Sequence, residues 1–124
     1  MACLDLLDPS SGGFMAGERS DLLPGTLDLL VLRTLAAQSM HGYGIVQHIA
    51  RLSQDVLRVE EGSLYPALQR LLLKGWLKAE WRQTPTNRRA RYYELTRPGR
   101  KQLALEVEGF ETIVAAIHRV LRQE

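Results

Sequence analysis

From Thr26 onward, apolar residues recur with helical spacing. Leu27, Leu30, Val31 and Leu35 fall on one face behind a Pro24-Gly25 turn. With Thr26 placed to cap, this predicts a first helix ending near Gln38. SMHGYG at 39–44 breaks the pattern with two glycines, and IVQHIARL restores it through Ile45, Ile49 and Leu52. Val56-Leu57-Arg58-Val59 alternates and reads as a short strand. In EEGSLYPALQRLLLKGWL, residues 60–77, Leu64, Leu68, Leu71 and Leu72 return to helical spacing until Gly75 stops them. The first turn of this third helix is unusual. Ser63, Tyr65 and Pro66 stand where a packing helix wants strong helix formers, although Ser63 is also a plausible cap.

WLKAEWRQ and ARYYEL alternate on either side of the turn-forming TPTNRR, which predicts a hairpin. Thr96-Arg97-Pro98-Gly99 has the form of a helix entrance, with Thr96 as cap and Pro98 in the first turn. Beyond it, Leu103, Val107, Phe110, Val114, Ile117 and Leu121 are separated by 4, 3, 4, 3 and 4 residues, a heptad seam. Roughly 25 residues at ~1.5 Å each make a rod of about 37 Å, too long for one small domain to cover. The seam is therefore the expected face of a homodimer.

Three helices followed by a two-stranded hairpin is the winged helix-turn-helix arrangement. The expected fold class is mainly α with a small β-hairpin, extended by a long C-terminal dimerisation helix. Residues 1–20, with PSSGG and little periodicity, read as a flexible arm, residues 21–96 as the winged domain and residues 97–124 as the dimerisation helix.

Charge sharpens this picture. The formal net charge is only +2, yet from Pro66 to Lys101 there are ten basic residues and two acids, a local balance of +8. Such a segment on a nearly neutral chain points to a polyanion. In a helix-turn-helix protein the helix after the turn presents its N-terminal residues to base edges in the major groove. Ser63, Tyr65, Pro66, Gln69, Arg70 and Lys74 are then the candidate contacts of the third helix. Arg88, Arg89 and Arg91, with Asn87, form a basic hairpin tip suited to phosphates or the minor groove. Trp76 is expected to close the core beneath the hairpin, and packing is the preferred reading of Trp81 as well.

Other chemistries find little support. His41, His48 and His118 match no metal-ligand spacing, the Glu60-Glu61 pair has no acid/base partner, and GYG is too short for a phosphate loop. No enzyme, metal or cofactor is implied. Cys3 is a lone cysteine, and together with the lack of a secretory signal or an apolar run long enough for a bilayer it leads to a cytoplasmic expectation. Two other functions fit a winged helix: a protein-interaction module, or a ligand sensor in which DNA is secondary.

HGYGI at 41–45, GSLYPAL-RL at 62–71 and RRARYYELTRPGR at 88–100 together resemble the PadR family of bacterial transcriptional regulators, over roughly residues 22–123. The ordered pair of the LYP and YY-LT-G motifs is the specific part. The resemblance implies a homodimeric repressor on a palindromic operator of double-stranded DNA, with the third helix and wing on the DNA. By matching position, Ser63, Tyr65 and Pro66 open that helix, Tyr43 lies near the DNA backbone, and Asn87, Arg88 and Arg89 sit in the wing. The single C-terminal helix resembles the short subfamily. Leu72 and Gly44 stand where the family often carries acids. Some relatives take drug-like or phenolic compounds near the dimer interface, so the resemblance admits a small aromatic effector, with Phe110 the only aromatic residue of the last helix.

Overall fold

The computed structural model describes residues 25–123 of the chain. The expected arm at 1–20, with Cys3, lies outside the described residues. Four helices and three strands follow in the order α1 (Thr26–Ala37), β1 (Met40–His41), α2 (Gly42–Leu52), α3 (Glu61–Leu73), β2 (Leu77–Gln83), β3 (Arg89–Leu95) and α4 (Arg97–Leu121). This is a winged helix: α1 to α3 around one core, with the β2–β3 hairpin as the wing. No described helix is long and apolar enough to cross a membrane.

The core forms where the periodic apolar faces meet. Val31, Leu32 and Leu35 of α1 pack with Ile45 and Ile49 of α2, Leu64, Leu68 and Leu71 of α3, and Leu77, Tyr93 and Leu95 of the hairpin. Leu72, expected inward, is only partly buried at the rim of this cluster. Truncating any of the fully enclosed leucines to alanine costs about 2–5 kcal/mol.

The sheet has one strand more than the hairpin. Its order is β1-β3-β2, antiparallel, with Met40 opposite Tyr93 and His41 opposite Tyr92. The strand expected at Val56–Val59 is absent. Met40–His41 takes the edge of β3 instead, and the 56–60 segment joins α2 to α3 without regular structure. Its alternation survives only as burial: Val59 enters the core while Val56 is exposed.

Three helix entrances show how local chemistry sets the boundaries. Gly25, at φ 86°, is the N-cap of α1 and no side chain caps that end, so Thr26 is the first helical residue rather than a cap. Glu60, not Ser63, is the N-cap of α3, and Ser63 lies inside its first turn with its amide on the Glu60 carbonyl. Thr96 caps α4 as expected: its hydroxyl accepts from the Gly99 amide at 3.1 Å and donates to the Gly75 carbonyl at 2.7 Å. At the end of α3, Gly75 takes φ 79°, and the amides of Gly75 and Trp76 bond to the carbonyls of Leu72 and Leu71. These paired bonds are the Schellman closure, which needs a left-handed residue at this point.

Helix α4 is most deeply buried at its start and lies along α1 further on. Gly99 and Leu103 are buried and Val107 packs against the core, while Phe110, Ile113, Ile117, Val120 and Leu121 are exposed to between 39% and 72%. These residues lie on one side of the helix, so its far half carries an apolar stripe along its exposed surface.

Candidate nucleic-acid interface

The HTH corner is built around one tight contact. Gly42 opens α2 with its Cα under the Tyr65 ring of α3; a β-carbon there would come within 2.5 Å of the Tyr65 hydroxyl oxygen and 2.8 Å of Cζ. Gly42 has no left-handed φ, so the position demands space and not conformational freedom. His41 caps α2, its Nδ1 accepting from the Gly44 amide at 3.0 Å, and its ring meets Tyr92 edge-on at 5.3 Å. Tyr65 thus packs on the neighbouring helix and still exposes 44% of its surface. Burial pushes its hydroxyl above the usual phenol range, with Glu61 and Tyr93 adding to the effect.

The remaining outward positions of α3 are Gly62, Ser63, Pro66, Gln69, Arg70 and Leu73, all exposed. Pro66 sits within the helix, and having no N–H it leaves the Gly62 carbonyl without its intrahelical donor. Arg70 is not free: its guanidinium holds Asp28 of α1 at 2.8 Å. That pair, exposed on the arginine side, contributes at most about 1 kcal/mol to stability. It also removes one positive charge from the basic surface counted along the sequence. Lys74 caps the far end of α3, with its ammonium 4.8 Å from the Trp76 ring centre.

The wing is a rigid hairpin. Asn87 takes φ 66° at its tip, Thr84 N–H donates to the Arg88 carbonyl, and the Gln83 side-chain Nε2 donates to Asn87 Oδ1 at 2.7 Å. This is a three-residue turn closed by a left-handed residue, which asparagine tolerates well. Asn87 therefore has a structural task whatever else it touches. Arg88, Arg89 and Arg91 project from the wing and are exposed, as is Tyr43 at the start of α2.

Of the residues expected to meet DNA, Arg89 and Arg91 lie over the rings of Trp81 and Tyr93 on one face of the wing, Tyr65 packs over Gly42 at the start of α2, and Tyr43 is exposed. Arg70 faces α1, and Lys74 lies beside Trp76. Two exposed residues depart from expectation: Leu73, to which the sequence assigns no role, and Trp81, for which packing is expected ahead of ligand stacking. Leu73 is 83% exposed on the outward face of α3, and Trp81 is 60% exposed on β2. The strand period alone could have flagged Trp81, since it shares a face with Arg91.

A sequence profile described as the transcriptional regulator PadR-like family matches residues 31–105. The chain belongs to the PadR-like family of transcriptional regulators. An uncharacterized protein from Lysinibacillus sphaericus is 30% identical over 86 residues, which span 69% of this chain and 79% of that protein. Among solved structures, a transcriptional regulator from Clostridium thermocellum superposes with a TM-score of 0.70 at 27% identity, covering 77% of this chain and 92% of its own. A PadR family transcriptional regulator from Eggerthella lenta gives 0.69 at 27% identity, covering 81% and 85%. Membership of this regulator family agrees with the absence of a catalytic constellation in the sequence: these relatives are regulators and not enzymes.

Proposed function

We propose that this PadR-like regulator is a homodimeric repressor that reads a palindromic operator in double-stranded DNA. The exposed face of α3 enters the major groove, with Ser63, Pro66 and Gln69 nearest the bases and Tyr65 at its edge. The wing arginines Arg88, Arg89 and Arg91 hold phosphates beside it, and Tyr43 meets the backbone from the start of α2. The observations that support this reading are the exposed arginines of the wing, Arg88, Arg89 and Arg91, and the exposed polar positions of α3. Repression as the direction of control comes from the family resemblance. Arg70 contributes less than its position suggests, because Asp28 already neutralises it.

The dimer half of the proposal rests on α4. Its first turns belong to the core of its own chain, through Gly99 and Leu103. The reading unit therefore extends past residue 96, and the dimerisation element begins near Val107. Leu103 supports the seam from within, while Phe110, Val114, Ile117 and Leu121 are the residues offered to a second copy. Beside them lies a groove of about 290 Å³ between the start of α1 and α4, lined by Leu29, Phe110, Ile113 and Ile117. An apolar stripe of this length on a 25-residue helix is costly to leave in water and fits the same stripe of a second chain. A small aromatic effector finds support only in Phe110.

A salt titration tests the DNA reading. Binding to a duplex should weaken steeply from low to physiological salt, because released counterions supply much of the affinity. Arg88→Ala should lower affinity at every salt concentration and flatten the slope by about one unit. No retention of DNA, together with salt-insensitive binding to a protein partner, would favour a protein-interaction module instead.

A further inference from the structure

The two faces of the wing differ in kind. On one face Trp81 lies directly opposite Arg91, and Gln83 opposite Arg89. This face is continuous with the buried base formed by Leu77, Tyr93 and Leu95, and it leaves the core as it approaches the tip. On the other face Arg82 is bonded to Glu80, reaches Ser39 Oγ at 3.0 Å and lies 3.9 Å from Glu94. Its charge is balanced locally. Arg89 and Arg91 have no carboxylate partner among the described residues. Rings stand under arginines on both faces, Arg82 lying 5.0 Å from the centre of Tyr92, Arg89 5.5 Å from that of Trp81 and Arg91 5.8 Å from that of Tyr93; only Arg82 is also held by carboxylates.

A ring and a carboxylate hold an arginine in different ways. A carboxylate occupies the N–H donors and cancels the charge, whereas a ring face restrains the side chain and leaves all five donors and the full charge available. Trp81 is 60% exposed, so packing does not account for it, and the bonded turn at Thr84–Arg88 keeps the two strands in register beneath it. We propose that the Trp81 face of the wing is the one that meets DNA, and that Trp81 is a positioning residue that holds Arg89 ready for a backbone phosphate. This assignment rests on the DNA-binding reading above. It adds a residue to that site and chooses one face of the wing over the other.

The test uses the full chain and a short labelled duplex of mixed sequence at low salt, with thermal melts to show that each variant folds. Trp81→Ala should weaken binding about threefold to fivefold, and Trp81→Phe should restore most of the loss. In an Arg89→Ala background, Trp81→Ala should have no further effect, an outcome that a general structural role would not produce. Arg82→Ala, which removes the same charge from the opposite face, should leave affinity within about twofold of the parent. Parental binding by Trp81→Ala, or an equal loss with and without Arg89, would overturn the positioning role. A larger loss from Arg82→Ala than from Arg89→Ala would overturn the choice of face. In either case, steep salt-dependent binding by the parent leaves the DNA reading standing; a parent that binds no duplex at all removes both.

Discussion

The contact between Gly42 and Tyr65 makes a sharp demand on Gly42→Ala. A methyl group there would meet the Tyr65 hydroxyl oxygen at 2.5 Å, Cζ at 2.8 Å and Cε1 at 2.9 Å. Ordinary contact starts at 3.4 Å, so the ring must retreat by about 1 Å. Overpacking of this kind costs about 1–3 kcal/mol, and the open outer side of Tyr65 keeps the cost near the lower end. Alanine recovers only part of its usual helix advantage of about 0.5–1 kcal/mol, because Gly42 is the first residue of α2. The net expectation is a loss of about 1 kcal/mol in urea unfolding. Affinity for DNA should fall further, about tenfold, because the displaced ring swings into the surface that α3 presents. The decisive measurement repeats Gly42→Ala in a Tyr65→Ala background, where the stability cost should vanish. If the cost were the same in both backgrounds to within about 0.3 kcal/mol, the two residues would be uncoupled and the corner would not be built on this contact.

Gly99→Ala should be more damaging, since the added carbon would run into the Trp76 carbonyl, a backbone atom that also accepts the Thr96 amide. A loss of about 3 kcal/mol by chemical denaturation is expected, and a loss under about 1 kcal/mol would show that the start of α4 is loosely held. Val114→Glu should convert the proposed dimer to monomer by light scattering while leaving the thermal melt of the winged core in place; a dimeric variant would refute the seam. Tyr65 has a hydroxyl pKa raised above 10.0 in the fold, chiefly by burial, so the folded chain favours the neutral phenol. The unfolded chain ionises first, and the associated stability is present below pH 10 and lost as pH rises through the folded value. Tyr65→Phe should therefore show a smaller fall in urea midpoint above pH 10 than the parent, and identical falls would contradict the cause given.

Much of the fold was legible because apolar periodicity and stop signals agree locally. The face Leu64/Leu68/Leu71, the Gly75 stop and the Thr96 cap stand as the spacing predicts, while of Ile45, Ile49 and Leu52 only the first two are buried and Leu52 is exposed. The failures are non-local. Val56–Val59 alternates like a strand, yet Met40–His41, which shows no such pattern, is the segment that pairs with β3. Ser63 looks like a cap because serine commonly is one, yet Glu60 reaches the position first. The same limit holds at the site. Residue type and order single out Tyr65, but the Gly42 contact beneath it joins residues from two helices and leaves no mark on either segment alone. The charge count assigns Arg70 to the basic surface, and Asp28, 42 residues away, removes it.

Selection of bound sequences from a random duplex pool tests the central claim most directly. A homodimeric reader should enrich a palindrome, with half-sites about one helical turn apart and two chains per duplex. Enrichment of a single unrepeated half-site, or no enrichment with salt-insensitive retention, would contradict that claim.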